Sequence, residues 1–206
     1  MSGIFLSRLK FSEIKPLHKK GDRTDIPNFR PISLLAYFSK ILGKVIDPRL
    51  YEHINQHNIL ATKQYGFRNN SSTEKAFFKL INEILLTLNL TVGGIFCDLE
   101  KAFSSINHDI LLSKCEFYGF KGNTNASLLR SYLSDRCQKV LINNSSSNTT
   151  TLPEWGKIKH GVPQGSILRP LFFLLYINDL PNIIADPLKP VLFADDTSVI
   201  TANLSP

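Results

Sequence analysis

The chain has 206 residues, 43% of them hydrophobic and 20% charged, with a formal net charge of +7 and a pI near 9.3. That is the profile of a globular protein able to bury a core, in one domain or two small subdomains, with a basic surface that favours a polyanionic partner. No apolar run reaches membrane-spanning length and the N-terminus lacks a signal-peptide core, so neither a membrane-spanning nor a secreted chain is expected. The three cysteines, Cys97, Cys115 and Cys137, are odd in number and have no Cys-x-x-Cys spacing. They point to reduced thiols in the nucleus or cytoplasm rather than to disulfides or a zinc site. In that setting the Asn-x-Ser/Thr triplets, such as Asn144-Ser145-Ser146, are polar loop sequence.

Residues 1–30 carry the basic excess, with seven Lys or Arg against three acids. Pro16-Leu17-His18-Lys19-Lys20-Gly21-Asp22 reads as a strand entering a turn. Pro27 and Pro31 place Arg30 in a stiffened loop, where cationic tips make a phosphate grip or a solvated basic loop. From Ser33 to about His53, Leu34, Leu35, Phe38, Ile41, Leu42, Val45 and Ile46 recur at helical spacing, which predicts a core-facing helix. Gln64-Tyr65-Gly66-Phe67-Arg68 follows as a loop. Ser71-Ser72-Thr73-Glu74 has capping-box spacing, so a helix is expected from near Ser72 to about Leu88. Its stripe of Phe77, Leu80, Ile81, Ile84 and Leu85 reads as core packing.

Val92-Gly93-Gly94-Ile95-Phe96-Cys97-Asp98 has the form of a buried strand ending in one acid. A lone buried carboxylate is costly unless paired or ligating a cation, although a helix-entry turn accounts for Asp98 equally well. Helices are expected from near Asn107 and over 126–134. Gln138–Ile142 and 154–159 read as strands joined by the Ser/Asn/Thr-rich loop 143–151. Gly161-Val162-Pro163-Gln164-Gly165-Ser166 then leads into an apolar helix over Ile167–Leu180. Its glycines admit a flat substrate face, and Gln164 offers donors and an acceptor. Finally Val191-Leu192-Phe193 and Thr197–Ile200 flank Ala194-Asp195-Asp196 as a hairpin. Two adjacent carboxylates at a hairpin tip point to a divalent-cation site, or to ordinary Asp-rich turn chemistry.

In order and spacing, Asp98 with Phe103, Gly161–Ser166, and Phe193-Ala194-Asp195-Asp196 resemble motifs A, B and C of a reverse-transcriptase palm. Lys19-Lys20-Gly21-Asp22, Asn28-Phe29-Arg30-Pro31-Ile32-Ser33-Leu34, Gln64–Arg68 and Tyr176-Ile177-Asn178-Asp179-Leu180 resemble motifs of non-LTR (LINE-type, jockey-like) retrotransposon enzymes. The resemblance covers roughly residues 12–203. It implies an α+β fold of right-hand polymerase type, with an antiparallel palm sheet packed on helices. Residues 1–90 would form a fingers-like region and residues 91–206 a partial palm, with the thumb absent.

The implied activity is RNA-directed DNA polymerisation from dNTPs onto a DNA primer on an RNA template. Asp98, Asp195 and Asp196 would be the catalytic and metal-ligating acids for two Mg²⁺ ions, with Mn²⁺ as a substitute. Phe103 would be the steric gate under the sugar, against a core-packing alternative, and Gln164 and Gly165 would border the nascent base pair. Lys20 and Arg30, with Lys19, would grip the triphosphate. Arg68 would contact the template strand or support the fingers.

Three positions depart from the resemblance. Ser104 stands where a second, non-ligating Asp is common, Ala36 where Pro is common, and Arg169 where Gly follows Ser-Ile-Leu. None of them is a metal ligand. Relatives also continue beyond the position of Pro206 into the rest of the palm, the primer grip and the thumb. The competing readings are a non-catalytic retrotransposon remnant that binds nucleic acid weakly, and an unrelated two-metal nuclease.

Overall fold

The computed structural model describes residues 3–86, 91–144, 149–151, 154–184 and 186–203. The elements run β1 (Phe11–His18), β2 (Phe29–Leu35), α1 (Tyr37–Gln56), α2 (Thr73–Leu85), β3 (Thr91–Asp98), α3 (His108–Phe117), α4 (Asn123–Leu133) and β4 (Cys137–Val140). They continue with β5 (Ile142–Asn144), β6 (Thr149–Thr151), β7 (Gly156–Lys157), α5 (Arg169–Ile177), α6 (Leu180–Ile183), β8 (Lys189–Phe193) and β9 (Asp196–Asn203). Two compact units result. One comprises Met1–His53 with Phe103–Phe172, the other Ile54–Ala102 with Phe173–Pro206. The fold is mixed α/β with antiparallel strand pairing in both units, as the sequence predicts. Among the described residues no helix is long and apolar enough to cross a membrane.

The first unit holds a sheet of order β2-β1-β4-β7, in which β1 pairs antiparallel with β2 and parallel with β4. The β1–β2 hairpin sets Pro16 opposite Pro31 and Leu17 opposite Arg30. Arg30 therefore lies on a strand, not in the expected loop. Leu34 and Leu35 likewise belong to β2 and not to the helix. Ser33 and Leu35 are buried while Leu34 is 45% exposed, a two-residue alternation that β1 enforces through pairing. Helix α1 starts only at Tyr37 and continues through Pro48. The strands flanking the polar loop pair as β4 with β7, and β5 pairs with β6 inside them. Residues 145–148 of that loop lie outside the described residues. Asn107 caps α3, its side-chain oxygen accepting the N–H groups of Asp109 and Ile110 at 2.9 and 3.2 Å.

The second unit is built on an antiparallel sheet of order β3-β9-β8, with α2 packed against β8 and β9. Ser72 caps α2 by accepting the Lys75 N–H at 3.3 Å. Glu74 sits one position too early to return the reciprocal bond of a capping box, and the Ser72 hydroxyl reaches it instead at 3.2 Å. The expected end of this helix near Leu88 lies outside the described residues.

Three burial expectations are overturned, the first in α1, whose Phe38, Ile41 and Val45 are exposed and not core-facing. Strand β3 is an exposed edge strand, with Ile95 62% and Phe96 67% exposed. The α2 stripe is not core either, since Phe77 is 64% and Leu85 53% exposed and only Ala76 of this helix is buried. Periodicity marks a face as apolar without specifying what covers it. The apolar run before Asp98 has strand character, but β9 flanks it on one edge only.

Candidate active site

The three acids of the sequence reading meet in the second unit. Strands β3 and β9 pair so that Asp98 lies directly opposite Asp196. Asp195 precedes Asp196 in the turn from β8, and its carbonyl accepts the Leu99 N–H at 3.2 Å. Segments nearly a hundred positions apart thus converge at one end of the sheet. Partial burial, reinforced by the charges of Asp195 and then Asp98, raises the Asp196 carboxyl above the usual carboxylate range. Among the described residues none of the three carboxylates forms a side-chain hydrogen bond or an ion pair. Nor is any set of three His, Cys, Asp or Glu side chains already gathered closely enough to enclose an ion. The backbone brings the acids together, while the side chains form an open, mutually repelling group of hard oxygen donors. Carboxylate oxygens are the hard donors that divalent cations take, but among the described residues they are not gathered into a ready ligand set.

The turn that carries the acids is held from the other side by the Gln64–Arg68 loop of the same unit. Gln64 is buried at 3% exposure. Its side-chain oxygen accepts the N–H of Gly66 at 2.8 Å and of Ala194 at 3.1 Å, while its amide nitrogen donates to the Ala194 carbonyl at 3.3 Å. Tyr65 N–H donates to Leu192 O at 2.8 Å, and Leu192 N–H to Lys63 O at 2.9 Å. Ala194 has φ +55°, an uncommon conformation for a residue with a side chain, and these bonds hold it there. A Cβ on Gly66 would lie 2.1 Å from Ala194 N, so only glycine permits this approach. Gln64 and Gly66 were recognisable in sequence only as part of a loop motif; their positioning role depends on Ala194, which is 130 residues from Gln64. Arg68 donates from Nη1 to the carbonyls of Ala61 at 2.7 Å and Gln64 at 3.4 Å, which ties its guanidinium into the same loop.

Phe103, Gln164 and Gly165 lie in the first unit. Val162 N–H donates to Phe103 O at 3.2 Å, and Gly161 N–H to Ile106 O at 2.7 Å. A Cβ on Gly161, whose φ is +80°, would meet Ser104 O at 2.7 Å. Residues 103–106 and the glycine loop are thereby stitched together, and the half-buried Phe103 ring lies under the Arg169 guanidinium, 4.1 Å from ring centroid to carbon. The Gln164 carbonyl accepts the Ser33 N–H at 2.8 Å, and Gly165 has φ +110°. Ser166 is buried and hydrogen-bonded to the Tyr132 hydroxyl, a second anchor absent from the sequence reading.

Lys20 and Arg30 fall on one exposed feature, the β1–β2 hairpin. Lys20 is in its turn, and Arg30 is two positions into β2. The turn is closed by Lys19 N–H on Asn28 O at 2.8 Å and by Asn28 Nδ2 on Asp22 O at 2.8 Å. Neither cationic side chain has an ion-pair partner among the described residues.

The family profile for reverse transcriptase (RNA-dependent DNA polymerase) matches residues 17–206. A probable RNA-directed DNA polymerase from transposon BS of Drosophila melanogaster is 33% identical over 97% of this chain and 22% of its own length. The RNA-directed DNA polymerase from the mobile element jockey of the same organism is 28% identical, over 98% and 22%. The chain thus spans about a fifth of the length of these relatives. Among solved structures, an apo telomerase from Candida tropicalis truncated from its C-terminal domain superposes with a TM-score of 0.65 at 16% identity, covering 95% of this chain and 44% of that one. The Candida albicans telomerase in complex with a telomeric RNA fragment gives 0.60 at 13%, over 96% and 39%. Those likenesses concern the fold. Ordered motifs, the convergent acids and the profile match agree: this chain belongs to the reverse transcriptase (RNA-dependent DNA polymerase) family, in its non-LTR retrotransposon group.

Proposed function

We propose that the chain is the fingers and partial palm of a retrotransposon RNA-directed DNA polymerase that extends a DNA primer with dNTPs on an RNA template. The observation that carries this reading is the pairing of Asp98 against Asp196 beside Asp195. Two Mg²⁺ ions bound there would supply Lewis acidity to the primer 3′-hydroxyl and to the departing pyrophosphate. Asp98, Asp195 and Asp196 would hold them as hard oxygen ligands. Gln64 and Gly66 fix the turn from which two of those acids project. Lys20 and Arg30 would bind the triphosphate, Gln164 and Gly165 would border the new base pair, and Phe103 would exclude a ribose 2′-hydroxyl. Arg68 would contact the template with its remaining guanidinium donors or support the fingers through its bonds to Ala61 and Gln64. In functional terms, residues 1–90 are the fingers and residues 91–206 the partial palm, acting in the nucleus or cytoplasm.

A non-catalytic remnant with weak nucleic-acid binding is the competing reading, and the open arrangement of the acids favours it. Primer extension with dNTPs and Mg²⁺ separates the two. Elongated product supports polymerisation, unchanged primer supports the remnant, and shortened primer indicates a nuclease.

Phe103→Val is expected to raise ribonucleotide incorporation relative to deoxyribonucleotide by about 10-fold or more, on the order of what a lost steric exclusion contributes. Unchanged sugar selectivity in single-nucleotide competition assigns Phe103 to packing. Lys20→Ala combined with Arg30→Ala is expected to weaken dNTP binding by about 10-fold or more, since charge-assisted contacts to phosphate are lost. Template binding should fall less. A larger fall for template than for dNTP, measured by fluorescence anisotropy, moves the hairpin onto the nucleic-acid path.

A further inference from the structure

The Arg169 guanidinium sits over the Phe103 ring at 4.1 Å. The position is unusual for a cation. Arg169 opens α5, whose first turn contains no acid, and a helix N-terminus repels positive charge. Its backbone N–H is taken by Ser166 O at 3.4 Å, so the residue is bound to the glycine loop through its main chain and to Phe103 through its side chain. Phe103 is fixed at its backbone, where its carbonyl accepts the Val162 N–H, and its half-buried ring carries the Arg169 guanidinium on its face. The negative face of the ring attracts the guanidinium and offsets part of the cost of a positive charge at a helix start.

We propose that Arg169 is a positioning residue for Phe103, clamping the ring in one orientation and thereby setting how strictly a nucleotide's sugar is screened. The inference rests on the reading of Phe103 as the sugar gate. It gives the cation a task at a position where the motif resemblance leads one to expect glycine, which could not hold the ring. Selectivity in this chain then depends on two residues, one that blocks the 2′-hydroxyl and one that keeps the blocking ring from swinging aside.

The test uses the full chain with 4-fluorophenylalanine at position 103, read by ¹⁹F NMR, in the parent and in Arg169→Gln and Arg169→Lys backgrounds. In parallel, binding of dCTP and CTP is compared on a dideoxy-terminated primer–template with Mg²⁺, which needs no turnover. The expected result is a shifted, broadened fluorine resonance in Arg169→Gln, with partial return in Arg169→Lys. The dCTP-over-CTP preference should fall on the order of 2- to 30-fold in Arg169→Gln, the range a cation–ring contact supplies, and recover in Arg169→Lys. A fluorine resonance identical in Arg169 and Arg169→Gln overturns the contact. A shifted resonance with unchanged preference overturns the positioning role. Failure of the underlying reading looks different: Phe103→Val would leave the dCTP-over-CTP preference intact while the fluorine shift in Arg169→Gln persists.

Discussion

Replacing Asp195 with Asn is expected to lower primer extension by about 10²- to 10³-fold, the usual cost of removing one preorganised electrostatic partner of a phosphoryl transfer. Stability should move the other way or not at all. Asp195 and Asp98 add to the burial that raises the Asp196 carboxyl. An acid whose pKa is raised by folding holds its proton more tightly in the native state, so its contribution favours folding at acid pH and is lost as pH rises through that pKa. Removing the Asp195 charge relieves part of this repulsion, and the melting temperature at neutral pH should stay level or rise. The pairing of outcomes separates chemistry from collapse. Undiminished extension by Asp195→Asn would remove the acid cluster from the mechanism, and a fall in melting temperature would mean that the carboxylate serves the fold. The same logic extends to cation binding: Mg²⁺ should raise the melting temperature of the parent chain more than that of Asp195→Asn, because a cation bound only to the native state stabilises it.

Gly66→Ala is expected to destabilise the chain by about 1–3 kcal/mol or more, as overpacking against an immobile neighbour does. The added Cβ would meet Ala194 N at 2.1 Å, Ala194 Cα at 2.7 Å and Phe193 C at 2.9 Å, all main-chain atoms that cannot rotate away. Relief requires the Gln64–Arg68 loop to lift from the β8–β9 turn. That would break the Gln64 bonds to Ala194 and release the turn that presents Asp195 and Asp196. Urea denaturation and primer extension should therefore fail together. Gly156→Ala is the matched control, since among the described residues its Cβ would meet only Gln138 O at an ordinary 3.7 Å. If Gly66→Ala melts and extends like the parent, the loop does not support the acid-bearing turn.

Much of the local structure can be read directly from the residues. Asn107 before an apolar run starts α3, and the Ser/Asn/Thr-rich stretch separates paired strands. The Asp-Asp dipeptide lies between two β-prone runs, with Ala194 and Asp195 in the turn after β8 and Asp196 opening β9. Other expectations failed for reasons that are physical and specific. Leu34 and Leu35 satisfy a helical spacing as well as a strand alternation, and pairing of β2 with β1 decides between them. The same pairing takes Arg30 out of a loop. Phe77, Leu85, Ile95 and Phe96 show that apolar patterning identifies a face but not its cover.

The order and chemistry of the motifs, the presence of three separated acids and the turn and cap residues around them are properties of the sequence, because each depends on neighbours a few bonds away. That Asp98 faces Asp196, that Gln64 and Gly66 support the turn, and that Arg169 lies on Phe103 were settled by tertiary structure alone. Each of those is a register or a contact between segments distant in the chain. The residue types allow many such pairings, and packing and backbone hydrogen bonding select one.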